Sequence, residues 1–419
     1  MTSGYPSLTE EIHFSDEADR TVRRGSAPIR APGAPASCVP RLVEHDRLQC
    51  RADGPDDPAT LLEEFLAGHG LPVRDLTRPG THPPDAPAGT VCGAAVFVSA
   101  AAGARMVGAA TGPASPAPAV PDLVAVVYRH DDPTPNGRPD RTRTDDWALG
   151  PWTESWTPEQ HADAVHQARE AIAAGDIYQV NVVGHGCAEY TGDPRPALRR
   201  LARLPGARYG GVLTGDGWAI GCASPETLVE VTDGRVYTRP IKGTRPATGP
   251  GRRELLESAK ERAEHVMIVD LERNDLARIA RTGTVRVDEL YAIRRWSDLW
   301  QAESTVSAVL ADGHGLADLL RAVCPGGSVT GAPKLSALAR IAALEPVGRG
   351  ASMGGLGWIG PDRLDLGLTI RTVAADTDRV HVWAGGGITW GSDPAAEVAE
   401  AAAKARPVRA TLAGHHPPR

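Results

Sequence analysis

From Trp152 onward, β-type runs come in groups and helical patterns fall between the groups. That order constrains the fold more than any other feature of the chain. Strands alternating singly with helices build parallel, doubly wound sheets, whereas strands grouped with strands build antiparallel sheets with helices packed against them. An α+β chain with antiparallel sheets is therefore expected. Thr157-Pro158-Glu159 opens a helix running to Ala174, with proline in its first turn. Ile177–Val183 reads as a strand, and Leu228–Val231 and Val236–Ile241 as two strands joined at Asp233-Gly234. Arg252–Ile279 reads as one long helix. Leu316–Val323 and Lys334–Leu344 are helical patterns on either side of a glycine-rich turn. Gly354–Trp358, Leu366–Val373 and Val380–Ala384 read as strands, and Pro394–Ala405 as a last helix capped by Ser392 or Asp393.

Upstream the patterning is weaker. Residues 1–40 are rich in Pro, Ser, Gly and Ala without periodicity, and are expected to be a disordered tail. Residues 41–150 carry short apolar runs such as Leu61–Leu71 and Leu123–Tyr128, broken by Pro and Gly. They read as a variable N-terminal lobe that ends in a linker over 131–150. Residues 151–412 make up the main domain.

Composition removes several function classes. A net charge of −7 gives no reason to expect a nucleic-acid partner. No run of 18 apolar residues is present to span a membrane, and no charged region followed by an apolar one opens the chain as a signal peptide would. The six cysteines form no CxxC pair and no short Cys/His cluster, which suggests a reducing cytoplasm. Only four lysines occur (Lys242, Lys260, Lys334 and Lys404), and every other basic residue is arginine. Arginine cannot replace lysine as a nucleophile, so a lysine that survives this bias is a candidate for chemistry.

Two helical segments carry paired carboxylates three residues apart, Glu261 with Glu264 and Glu397 with Glu400. Each pair lies on one helix face. Two such helices converging would supply the one or two carboxylates that Mg²⁺ takes from a protein, with substrate oxygens and water completing the shell. A solvated helix face is the commoner reason for such a pair, and Glu400 also stands four residues before Lys404, an ordinary helical ion pair. Pro325-Gly326-Gly327-Ser328 and Gly385-Gly386-Gly387 each read as a turn ahead of a helix. Backbone N–H groups there could bind a carboxylate or phosphate, and tight-turn geometry alone would also explain them.

Longer strings are more specific than these fragments. DIYQVN (176–181), SPETLVEV (224–231), TRPIKGTRPATG (238–249), AKERAEHVMIVDLERNDLARIA (259–280), PGGSVTGAPKLSAL (325–338), LTIRT (368–372) and AGGGITWGSDPAAEVAEAAAKA (384–405) resemble, in the same order, the chorismate-utilising enzymes. These include anthranilate, aminodeoxychorismate, isochorismate and salicylate synthases. The resemblance covers about 157 to 406 and implies two large antiparallel sheets flanked by helices, with 151–412 as the chorismate-binding catalytic domain. It implies that Glu264 and Glu400 ligate Mg²⁺, with Glu261 and Glu397 around them, and that the metal holds the ring carboxylate of chorismate. The enolpyruvyl carboxylate would lie against Arg371, the backbone of Gly385, Gly386 and Gly387, and Lys404. Glu226 of SPE matches the general acid that protonates the departing hydroxyl.

Within the family, the water-using members have a lysine base where this chain has Gln179, so ammonia is the expected nucleophile. PIKGT resembles the aminodeoxychorismate synthases, in which the lysine, here Lys242, attacks ring carbon 2 before ammonia enters at carbon 4. Thr244 of the same string is a further substrate-facing position. The sequence departs from the family at Gln301 in LWQAEST, where a His is usual, and at Ser352 in ASMGGLGWIG, where a Tyr is usual; Trp358 stands at a later Tyr. Aminodeoxychorismate synthase component I activity is therefore expected. The rival readings are anthranilate-type ortho-amination and a non-catalytic chorismate-binding homologue. No G-x-C-x-G nucleophile elbow with a downstream His-x-Glu is found, so ammonia is expected from a separate glutamine amidotransferase subunit or from solution.

Overall fold

The computed structural model describes residues 42–81, 86–130, 147–296 and 299–414. The expected tail at 1–40 and the greater part of the expected linker lie outside the described residues.

Among the described residues, β1 (Leu42–Cys50), α1 (Pro58–Gly68), β2 (Val91–Val98), α2 (Ala100–Met106) and β3 (Leu123–His130) come first. They are followed by β4 (Ala148–Glu154), α3 (Pro158–Ala173), β5 (Gln179–Thr191), α4 (Arg195–Leu201), β6 (Tyr209–Gly215), β7 (Trp218–Ser224), β8 (Thr227–Thr232), β9 (Arg235–Arg239) and β10 (Ile241–Pro246). Next come α5 (Gly249–Glu257), α6 (Ala259–Ala277), β11 (Arg286–Trp296), β12 (Leu299–Val309), α7 (Leu316–Val323), β13 (Gly331–Ala332) and α8 (Lys334–Leu344). The last elements are β14 (Gly355–Ile359), β15 (Arg363–Leu368), β16 (Thr372–Ala375), β17 (Arg379–Ile388) and α9 (Pro394–Leu412).

These described strands form two antiparallel sheets. One has ten strands in the order β1-β3-β2-β14-β15-β8-β9-β12-β10, with β11 paired to β12. The other has seven in the order β13-β5-β17-β16-β7-β6, with β4 paired to β5. Val96, Phe97, Val124 and Val126 of the first sheet and Val183, Ile220 and Trp383 of the second belong to one buried apolar cluster. Each such side chain, fully withdrawn from water, contributes about 1.5–3 kcal/mol, so the two sheets are held by a common core. No helix among the described residues is long and apolar enough to cross a membrane.

Several elements differ from the sequence reading, each for a local reason. Residues 42–130 place β1, β2 and β3 in the ten-stranded sheet, and β2 pairs directly with β14. The end of the expected linker forms β4 on the edge of β5. The long helix over Arg252–Ile279 is two helices. Ser258 is extended between them (φ −68°, ψ 103°), and its hydroxyl caps α6 by accepting from Glu261 N at 3.3 Å. The run Leu366–Val373 is two strands belonging to different sheets, because the chain crosses between the sheets at 369–371, where Arg371 has φ +50°. Gly385–Gly387 is not a turn but the end of β17, paired with Asn181–Val183 of β5. The Asp233-Gly234 hairpin is as expected, with both residues at positive φ, and Asp393 caps α9 by accepting from Ala396 N at 2.8 Å.

Candidate active site

Sheet edges, one 3-10 turn and two helices bring most of the expected residues together. Lys242 lies on β10, where a bulge at Gly243 (φ +73°) separates its pairing with Ala302 from that of Thr244 with Gln301. Glu226 sits in the two-residue link from β7 to β8 and is 5% exposed. Between them stands Ser328, in the 3-10 turn Gly327–Val329. Its hydroxyl donates to Glu226 Oε1 at 2.6 Å, and its carbonyl accepts from Lys242 Nζ at 3.4 Å. Ser328 thus joins the expected general acid to the expected nucleophile. Sequence reading had it only as part of a glycine-rich turn.

The electrostatics suit both groups. Burial pushes the Glu226 carboxyl up, against the lowering effects of the Ser328 hydrogen bond and of Lys242, so it tends to keep its proton. Burial pulls the Lys242 amine down; Glu226 opposes this, Lys404 adds to it, and Glu264 and Glu400 oppose it. A desolvated amine that loses its proton more readily is a better nucleophile. The same set of charges shows that Glu264, Glu400 and Lys404 belong to the neighbourhood of Lys242.

Glycines make room for this convergence. A methyl group at Gly387 would lie 2.4 Å from Gln179 Nε2 and 3.3 Å from Lys242 Nζ. At Gly386 it would lie 3.0 Å from Glu397 Oε2, 3.8 Å from Lys404 Nζ and 4.0 Å from Glu400 Oε1. Gly385 packs on the partner strand, where a methyl group would meet Val182 O at 2.0 Å. Gln179 is 1% exposed and its Oε1 has no hydrogen-bond partner, which leaves a buried acceptor beside Lys242.

Three of the four carboxylates take these different partners. Glu264 Oε1 accepts from Thr389 Oγ1 at 3.4 Å. Glu400 pairs with Lys404 at 2.7 Å, and Lys404 also donates to Gly385 O at 2.9 Å. Glu261 pairs with Arg245 at 3.2 Å. Among the described residues, no three His, Cys, Asp or Glu side chains gather at one point to hold an ion.

The remaining expected residues are placed differently. Gln301 is buried, donates to Thr244 Oγ1 at 3.4 Å, and has its Oε1 unpartnered. Ser352 is fully buried and donates to Thr369 O at 3.1 Å, so its hydroxyl braces the crossover rather than standing open. Arg371 is part-buried at that crossover, and its carbonyl accepts from Ala223 N at 3.2 Å. Trp358 is buried and stacks on Tyr128, with ring centroids 5.9 Å apart. His265 is a group the sequence reading passed over. It is wholly buried, Nε2 lies 2.5 Å from Ser304 Oγ, and burial with the nearby Lys242 pushes its ring down to about 4.

Residues 80–410 match the family described as chorismate binding enzyme. The chain belongs to that family. Anthranilate synthase component 1 of Streptomyces coelicolor is 42% identical over 263 residues, covering 61% of this chain and 52% of that one. Aminodeoxychorismate synthase component 1 of Klebsiella aerogenes is 39% identical over 256 residues, covering 59% and 57%. The matched region thus spans little more than half the length of these curated relatives. Among solved structures, anthranilate synthase component I from Streptococcus pneumoniae superposes with a TM-score of 0.73 at 26% identity, covering 88% of this chain and 92% of that one. The two-sheet architecture and the family expected from the sequence strings are both established by these matches.

Proposed function

We propose that this family member is an aminodeoxychorismate synthase component I, which aminates chorismate with ammonia to 4-amino-4-deoxychorismate. The observation that carries the reading is the Lys242–Ser328–Glu226 bridge, with Gln179 beside the amine. The neutral Lys242 amine attacks ring carbon 2, both ring double bonds shift by one position around the far side of the ring, and the carbon 4–oxygen bond breaks. Glu226 gives its proton to the departing oxygen, which leaves as water. Ammonia then attacks carbon 4, both double bonds shift back, the bond from carbon 2 to Lys242 breaks, and the new ammonium group returns a proton to Glu226. Arginine could not serve, since its guanidinium stays protonated. Gln179 cannot take a proton from water but can accept a hydrogen bond from ammonia.

The donor chemistry fits Mg²⁺. Glu264 and Glu400 both act on the Lys242 amine from two different helices, and a magnesium site needs only one or two protein carboxylates. In this reading they would ligate the ion, Glu261 and Glu397 would stand around it, and Lys404 would be released from Glu400 to face the substrate with Arg371. When bound, the ion supplies positive charge for the ring carboxylate. Ammonia would come from a separate glutamine amidotransferase subunit in the same cytoplasmic compartment.

Ortho-amination has a specific observation in its favour, the 42% identity to an anthranilate synthase component 1. Lys242 favours the para product, because a lysine bound at carbon 2 blocks that carbon while ammonia attacks carbon 4. The test is to incubate purified protein with chorismate, ammonium and Mg²⁺ and to identify the product by mass and ultraviolet spectrum. 4-Amino-4-deoxychorismate is expected. Anthranilate would overturn the para assignment, and untouched chorismate would overturn the catalytic reading.

A further inference from the structure

Helix α6 brings a second set of ionisable groups to the back of the turn that carries Ser328. Glu272 is 5% exposed, and a methyl group at Gly327 would lie 3.0 Å from its Oε1. Asp275, three residues on, pairs with Lys334 of α8 at 2.6 Å, and their side chains are only 8% and 10% exposed. Thr238 of β9 and Cys324 after α7 face the same carboxyl, Arg278 lies beyond Asp275, and Glu226 acts on it from across the turn. One lysine therefore stands among two buried carboxyls, and ionising both would leave excess charge out of water. Burial first, and Asp275 second, push Glu272 up to about 8. At neutral pH it keeps its proton.

We propose that Glu272 is a positioning residue for the reaction at Lys242 and Glu226: its carboxyl, packed on Gly327, fixes the turn whose Ser328 holds both groups. This rests on the reading of the site given above. The turn has one hydrogen bond to the nucleophile and one to the acid, and Thr330 Oγ1 closes it onto Gly326 O at 2.9 Å. A neutral carboxyl fits against the glycine. An ionised one places an uncompensated charge there, which the turn relieves by moving away or by admitting water.

The experiment compares wild type with Glu272→Gln and Glu272→Ala, in steady-state kinetics and in thermal unfolding between about pH 5 and 9. Glu272→Ala is expected to lower kcat by about tenfold or more, since small displacements of reacting groups are costly, with KM for chorismate little changed. Glu272→Gln, neutral and of the same shape, is expected to restore most of that loss. Wild-type kcat should fall as pH rises through about 8, and the Gln variant should lose the share of that fall due to Glu272, keeping only the share that ionisation of the acid Glu226 brings. The folded protein binds the extra proton between about 4.5 and 8. Wild type should therefore lose Tm relative to the Gln variant as pH rises through that window, with no further change above it. A wild-type kcat in Glu272→Ala would overturn the inference, as would an unchanged alkaline limb in Glu272→Gln. A Tm difference that stays flat with pH would overturn it whether or not the protein turns over chorismate. A wild-type protein inert toward chorismate would instead overturn the proposed reaction, and the unfolding comparison would still decide whether Glu272 holds its proton.

Discussion

Gly387→Ala tests the packing of the site more sharply than the loss of any charged group would. The added methyl would sit 2.4 Å from Gln179 Nε2 and 3.3 Å from Lys242 Nζ. To restore ordinary contact the buried Gln179 amide must retreat by about 1 Å or more. The local overpacking should cost about 1–3 kcal/mol of stability. A displacement of about 1 Å beside reacting groups can cost on the order of a hundredfold in rate. The variant should thus fold, with Tm lowered by a few degrees, and show kcat/KM for chorismate reduced by about two orders of magnitude. Gly385→Ala makes the contrast, because its methyl meets Val182 O of the backbone at 2.0 Å. Backbone cannot swing aside, so that variant should fail in stability rather than in rate. The assay is chorismate consumption by absorbance, paired with a melt of each variant. A Gly387→Ala enzyme with wild-type kcat/KM would refute the placement of Gln179 and Lys242 around that glycine.

Four further outcomes follow from the same geometry. Glu264→Gln or Glu400→Gln should abolish Mg²⁺-dependent turnover with Tm nearly unchanged, and full activity after chelator treatment would refute the metal reading. Mass spectrometry of enzyme mixed with chorismate in the absence of ammonia should find an adduct on the peptide holding Lys242; undiminished para product from Lys242→Ala would refute the covalent step. Gln301, which the sequence resemblance sets at the position of a His, carries no proton at neutral pH, so the enolpyruvyl group should stay on the product; pyruvate formed in step with chorismate loss, read with lactate dehydrogenase, would refute this. Buried His185 and His381, whose ring nitrogens lie 3.1 Å apart, are pushed down to about 3 and about 4 from 6.5. The unfolded chain then binds more protons below pH 6.5, so Tm should fall as pH drops from there to about 4, and an equally steep fall in His185→Gln/His381→Gln would refute their share.

Short-range chemistry in the chain was legible, and long-range pairing was not. The Asp233-Gly234 turn, the Asp393 cap and the helices Leu316–Val323 and Lys334–Leu344 depend on neighbours within a few residues, and each appears as expected. Placing β2 beside β14 joins Val98 to Gly355 across most of the chain, and nothing in the apolar runs of 41–150 reports it. The crossover at 369–371 was hidden because apolar and β-branched residues (Leu366, Leu368, Thr369, Ile370, Thr372 and Val373) run across it, with Arg371 the one charged residue among them. Leu368 packs in the core shared by the two sheets and Val373 in a second cluster, so the run has β-type residues on both sides of the break. The glycine triplet misled for the opposite reason. Glycine usually marks a turn, but in β17 it leaves the volume that Gln179, Glu397 and Lys404 occupy from neighbouring elements.

The same contrast separates the two departures from the family pattern. Ser352 is fully buried and braces the crossover through Thr369 O. Gln301 keeps an unpartnered buried oxygen and a single long hydrogen bond to Thr244, itself one residue past the bulge that sets Lys242. A buried acceptor left unmatched costs about 1–3 kcal/mol, a cost that any donor reaching it would recover. Gln179, whose amide shares the space at Gly387 with Lys242 Nζ, carries the same deficit. Under the proposed amination these acceptors would offer hydrogen bonds to the N–H groups of ammonia, and neither amide can act as a base on water. Set against the His that the sequence resemblance implies there, Gln301 would lack only the proton-carrying group that a later proton transfer at the ring would need.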